Sequence, residues 1–107
     1  MAWIYLLLAG VCEIGWPLGF KLSQTTSYRV LWIIVAALAM TLSGYLLWLA
    51  QRDIPMGTAY AVWTGIGAVG AFVCGIMFFK DPATSFRIIS VMLIIIGIVG
   101  LKLSSAH

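Results

Sequence analysis

Glu13 is the one acidic residue of this 107-residue sequence that falls inside a long apolar run, because Asp53 and Asp81 both stand in polar turns. Holding a carboxylate near the centre of a bilayer costs about 3 kcal/mol on insertion scales and more in simulation, so such residues mark proton or ion pathways. Gly10, Glu13 and Trp16 or Pro17 follow one another at three- and four-residue spacing, which puts them on one helix face. Gly10 leaves room beside the carboxyl, and Trp16 offers an indole N–H one turn on. Pro17 removes the helical partner of the Glu13 carbonyl, so a bend is expected there. Desolvation favours the neutral acid and hydrogen-bond donors favour the carboxylate. A carboxyl set between these influences can exchange a proton for a cation.

Walls for such a site are available elsewhere in the chain. Tyr60 and Trp63 are three residues apart and share a face, and aromatic faces attract cations. Ser43 lies at mid-depth of the second apolar run, with a hydroxyl able to orient a carboxylate. Gly65 and Gly67 fall within one turn directly after the aromatic pair, where two glycines weaken a helix and suit a hinge. Trp3, Trp32 and Trp48 are placed to serve as interface anchors.

The elements that carry these residues are four apolar segments, at about 2–22, 29–50, 56–79 and 86–103, each near the ~20 residues that cross a ~30 Å hydrocarbon core as helix. Between them, residues 23–27 read as a short loop, and residues 51–55 and 80–85 as turns that stop one helix and start the next. The composition demands this arrangement. With 64% hydrophobic and 8% charged residues there is too little polar surface to clothe a water-soluble domain, which averages nearer 25% charged. The fold class is all-α integral membrane, a single four-helix transmembrane domain over residues 1–107.

Short loops make the helices run up and down. Arg52 and Lys102 then share one side of the membrane with the N-terminus, and Lys21, Arg29, Lys80 and Arg87 the other. Orientation follows the Lys and Arg excess; an excess this small specifies it weakly, and both orientations are expected. The six basic residues are spread singly, which argues against a nucleic-acid partner. Cys12 and Cys74 sit in apolar runs without disulfide-framework spacing and read as buried thiols. Residues 8–12 approach a lipoprotein site, but Val11 intrudes before Cys12 and no basic segment precedes it, so the first helix is expected to remain in the mature chain. Gly97 and Gly100 in the fourth segment, like the glycines of the third, suit close backbone approach in lipid.

Over essentially its full length the sequence resembles the small multidrug resistance transporters, most closely their guanidinium-exporter branch. The residues that carry the resemblance are Gly10-x-x-Glu13-x-x-Trp16, Lys21, the stretch from Pro55 through Gly57-Thr58-Ala59-Tyr60-Ala61-Val62-Trp63-Thr64-Gly65-Ile66-Gly67 to Ala68, and Gly97-Ile98-Val99-Gly100-Leu101-Lys102. The resemblance implies a four-helix subunit paired antiparallel with an identical copy, a dual-topology homodimer whose first three helices line the substrate chamber and whose fourth forms much of the dimer contact. It also implies that Glu13 of each copy binds substrate and protons in competition. Trp16, Ser43 and Trp63 would hold the carboxylate, and Tyr60 would help switch access. Pro17 and a slightly longer first loop depart from the family pattern.

The function expected on these grounds is proton-coupled export of guanidinium-type cations across a bacterial inner membrane. Guanidinium is planar and presents N–H donors in a fork that matches a carboxylate edge. No cofactor or metal is expected, since no nucleotide-binding glycine loop or metal-ligand cluster is present in the sequence. One alternative is a promiscuous exporter of hydrophobic quaternary ammonium drugs, relying on Tyr60 and Trp63. Another is a non-transporting helical subunit in which Glu13 is structural. An enzyme is disfavoured: no second acid or Ser–His pair faces Glu13, and the sole histidine is the terminal His107.

Overall fold

Apolar runs of this length satisfy every backbone group within themselves when helical, which is the condition for crossing lipid. The computed structural model describes residues 1–104, so His107 lies outside the described residues. It contains α1 (Ala2–Thr25), α2 (Arg29–Ala50), α3 (Met56–Phe79) and α4 (Ser85–Ser104), each long and apolar enough to span a membrane.

The first helix runs further than its sequence suggests, because residues 23–25 continue α1 rather than opening a loop. Their hydroxyls explain it. Ser23 Oγ donates to the Phe20 carbonyl at 2.6 Å and Thr25 Oγ1 to that of Lys21 at 3.0 Å, so the polar side chains bond back to the helix they extend. Thr26 Oγ1 does the same to Leu22, and its own extended backbone ends the helix. Pro17 does not break α1, which is continuous across it.

α1 is the central element. It packs along both α2 and α3, which touch each other only slightly, while α4 packs on α3. Glycine permits the α1–α2 approach: a Cβ on Gly15 would lie 2.9 Å from Ala39 Cβ, and one on Gly19 would lie 3.0 Å from both Ala36 Cβ and the Trp32 carbonyl. The small-residue faces of the first two helices thus meet at close range, as helix pairs in lipid require. At one end of the bundle the turn after α2 folds Ile54 under α1, where it joins Leu6, Ala50, Ala59 and Val62 in a buried cluster. At the other end Lys80 closes α3 in the left-handed region (φ 57°, ψ 34°), and the Asp81 N–H returns to the Gly75 carbonyl at 3.1 Å.

α4 buries none of its residues within the subunit. Gly97 and Gly100 face open space, with nothing within 4 Å of a Cβ added at either. Both cysteines are half-buried free thiols rather than buried ones.

Because the obstacle at Gly19 includes backbone, Gly19→Val is expected to destabilise the subunit by about 1–3 kcal/mol. Gly57→Ala, where a Cβ meets nothing, should stay within ~0.5 kcal/mol of the parent. Unfolding titrations with dodecyl sulfate in mixed micelles measure both.

Candidate functional site

Glu13 projects from the middle of α1 toward α3, at a cleft of about 200 Å³ lined by Glu13, Trp16, Pro17, Thr64, Gly67, Ala68 and Ala71. Trp16 Nε1 donates to Glu13 Oε1 at 2.7 Å, a charge-assisted length when the acid is ionised. Among the described residues this is the one hydrogen bond the carboxyl receives. The second oxygen is left for whatever enters the cleft. Opposite, Gly67 is required by contact: a Cβ there would fall 2.6 Å from Glu13 Cγ. Thr64 Oγ1 donates to the Tyr60 carbonyl at 2.6 Å. Its proton is thereby committed, and its lone pairs remain as acceptors on the cleft wall.

Ser43 and Trp63 occupy a second, separate cluster one turn nearer the N-terminus of α1. Trp63 Nε1 donates to Ser43 Oγ at 2.8 Å, and Ser43 Oγ donates to the Ala9 carbonyl at 2.8 Å. Ser43 is fully buried. Neither residue hydrogen-bonds the carboxylate, the role that the family resemblance implies for both. They instead fasten α2 and α3 to the α1 backbone at the carbonyl that a regular helix pairs with the Glu13 N–H. Tyr60 stands beside Trp63, with ring centroids 5.4 Å apart, but is 56% exposed and does not line the Glu13 cleft.

The glycines also take different parts from those expected. Room made by Gly10 is filled by Ile66, whose Cβ would lie 2.7 Å from a Cβ at Gly10, and not by the carboxyl. Gly65 packs against Ile98 and Ile94 of α4, and α3 passes through Gly65 and Gly67 without a break. The structure thus brings together Glu13, Trp16 and Gly67, pairs Ser43 with Trp63, and leaves Tyr60, Gly97 and Gly100 on open faces.

Thr64, Ala68 and Ala71 are wall residues that sequence reasoning passed over. Their signal was present, since 60, 64, 67 or 68, and 71 continue one face of α3 from the tyrosine in small residues. Pro17 and Ala71 also border a neighbouring cleft of about 210 Å³ that reaches Lys21, Asp81 and Phe79 at the membrane end, with Lys21 Nζ 5.9 Å from the Phe79 ring centre. Among the described residues no group of three or more His, Cys, Asp or Glu side chains is placed to hold a metal ion.

Four helices long and apolar enough to span a membrane, with one acid in a cleft between α1 and α3, define a multi-pass membrane protein with an ionisable site within its spans. Residues 1–94 match the family described as Small Multidrug Resistance protein. A guanidinium exporter of Yersinia pseudotuberculosis is 49% identical over 105 residues, covering 98% of this chain and 100% of the relative. Guanidinium exporters of Salmonella typhimurium and Escherichia coli K12 are 47% and 46% identical, each over 98% of this chain and 99% of the relative. The chain belongs to the small multidrug resistance family, and with its four spans it is a multi-pass transport protein of the bacterial inner membrane.

If Gly67 positions the carboxyl, Gly67→Ala should shift the Trp16 indole N–H resonance in ¹⁵N-resolved spectra while that of Trp63 stays in place, and Ser43→Ala should do the reverse. Equal movement of both indoles in either variant would dissolve the distinction between the two clusters.

Proposed function

We propose that this chain exports guanidinium and small substituted guanidinium ions in exchange for protons, working as an antiparallel, dual-topology homodimer in which Glu13 of each copy forms the shared site. The observation that supports this most directly is the Glu13 carboxyl itself, with one oxygen fixed by Trp16 at 2.7 Å and the group set at the edge of a cleft. A carboxylate held at one oxygen keeps its orientation without losing its capacity to accept further donors. Guanidinium supplies such donors in one plane, and a neighbouring acceptor at Thr64 Oγ1 can take another.

Transport follows from competition. A proton and a cation cannot both hold the carboxylates, and if only a loaded dimer changes the side to which it opens, an inward proton gradient drives the cation out. No covalent step, metal or nucleotide takes part, and the chain acts as a carrier and not an enzyme. Gly97 and Gly100, open on α4, form the contact with the second copy, and close approach of small-residue faces supplies the packing energy. Trp63 and Ser43 hold the three site helices in register, and Tyr60, exposed beside Trp63, takes part in switching access. Gly65 and Gly67 are where α3 yields during that change.

Purified protein in proteoliposomes tests the reading. An imposed proton gradient should drive guanidinium in the direction opposite to the protons, and Glu13→Gln should reduce the flux to that of protein-free liposomes while the fold is retained. Lowering the pH should raise the guanidinium concentration needed for half-maximal flux without lowering the maximum. Wild-type flux in Glu13→Gln, or ethidium carried in preference to guanidinium, would overturn the assignment.

Thr64→Val keeps the side-chain shape and removes the acceptor. It should weaken guanidinium binding about five-fold, the value of one neutral hydrogen bond, and leave tetraphenylphosphonium binding unchanged, since that ion has no N–H to donate. Isothermal titration of the two ions gives the comparison.

A further inference from the structure

α1 and α4 both pack on α3, and between them they leave an apolar groove along the outer side of the subunit, away from the Glu13 cleft. The groove is made of two adjoining cavities of about 310 and 220 Å³ that share Ile98 and Val99 of α4. Its inner end lies at mid-membrane, where Ile14 of α1 presses into the space left by Gly70 of α3. Its outer end lies at Trp3 and Lys102, with the Lys102 ammonium 4.8 Å from the centre of the Trp3 ring.

The dimensions and the chemistry of the two ends match one kind of occupant. From Trp3 to Ile14 is eleven residues of helix, about 16 Å at 1.5 Å per residue, or half of a ~30 Å hydrocarbon core. A groove that starts at the interface and stops at the midplane is one leaflet deep, the length of a single acyl chain. Its walls are almost wholly aliphatic, and its mouth carries an indole at the headgroup level and a cation beside it. A second helix would need a groove that spans both leaflets. A zwitterionic lipid carries its own cation beside the phosphate, so its headgroup offers Lys102 no net negative charge.

We propose that this groove holds one acyl chain of an anionic phospholipid, with the headgroup phosphate on Lys102. The lipid fills the gap that α1 and α4 leave over α3, and so ties α4 to the rest of the subunit at the end where Lys102 over the Trp3 ring is its link to α1. The proposal stands independently of the transported ion, since no groove residue lines the Glu13 cleft apart from the helices they share.

Native mass spectrometry of the full-length protein, released from mild detergent after equilibration with equal phosphatidylglycerol and phosphatidylcholine, tests it. One phosphatidylglycerol per copy is expected to survive, favoured about five-fold over phosphatidylcholine, as one basic side chain at a membrane surface contributes. Lys102→Gln should abolish the preference and Lys102→Arg should keep it. Val99→Trp, which fills the groove, should lower retention of both lipids. Equal retention of the two lipids by the parent protein would overturn the proposal, as would unchanged retention in Val99→Trp. A disulfide between copies through Val99→Cys would also overturn it, by showing a second copy of the chain in the groove.

Discussion

An ionisable carboxyl cannot be placed in the middle of a bilayer by sequence alone; the helices around it must supply what water would have supplied. At Glu13 that supply comes from three directions. Trp16, one turn along the same helix, donates to one oxygen. Gly67 on the facing helix has no side chain, so the carboxyl's methylene stem can lie against backbone. The remaining side of the group borders a cleft with polar lining at Thr64. Remove the first and the acid loses its orientation, remove the second and it is pushed from its place, fill the third and it has nothing left to bind. Most other close contacts of α1 can be read as consequences, since a helix carrying such a residue has to be held firmly in register with its neighbours.

The holding is done by small residues and one polar chain. Gly15 and Gly19 bring α2 close, while Gly10 and Gly70 admit Ile66 and Ile14 across the α1–α3 seam. Trp63, Ser43 and the Ala9 carbonyl then link three helices through two hydrogen bonds of 2.8 Å each. Bonds of this kind contribute about 1 kcal/mol each in lipid, which is modest against the packing. Their value lies in specificity: a slide of α3 along α1 must break the Trp63–Ser43 bond or pull Ser43 off the Ala9 carbonyl. The Ala9 carbonyl belongs to the turn that precedes Glu13, so this anchor holds the backbone that carries the acid without touching its side chain.

Four helices and the special standing of Glu13 were legible in the sequence, because both follow from one-dimensional signals, namely apolar run length and a lone charge within a run. The Glu13–Trp16 pair was legible for the same reason, being a relation within one helix. What could not be read was which residue of another helix faces which. Ser43 and Trp63 are apolar-run residues with polar tips, and nothing in their spacing distinguishes a partner on the Glu13 side chain from a partner on the Ala9 backbone. The glycines show the same limit. Gly67 reads as a hinge and its space for the acid goes unread, while Gly10 reads as space for the acid and holds Ile66 instead. The end of α1 was misplaced by composition: serine and threonine look like loop, yet back-bonding hydroxyls let them continue a helix whose neighbours are already packed.

α4 shows how the remaining surface is divided. Ile94, Ile98 and Leu101 turn toward α3. Val99 and Lys102 lie to one side of that seam, at the groove. Gly97 and Gly100 lie on the other, open to their surroundings. On a helix of 3.6 residues per turn these three sets occupy separate sectors, so a single helix can meet its own subunit, a second copy and a lipid without any one contact competing with another. A helix that buried more of itself within the subunit would have no sector left for the proposed second copy. With no residue of α4 buried in the subunit, both sectors stay open for the neighbours proposed for them, and the bilayer itself accounts for a least-enclosed helix that is apolar over most of its length.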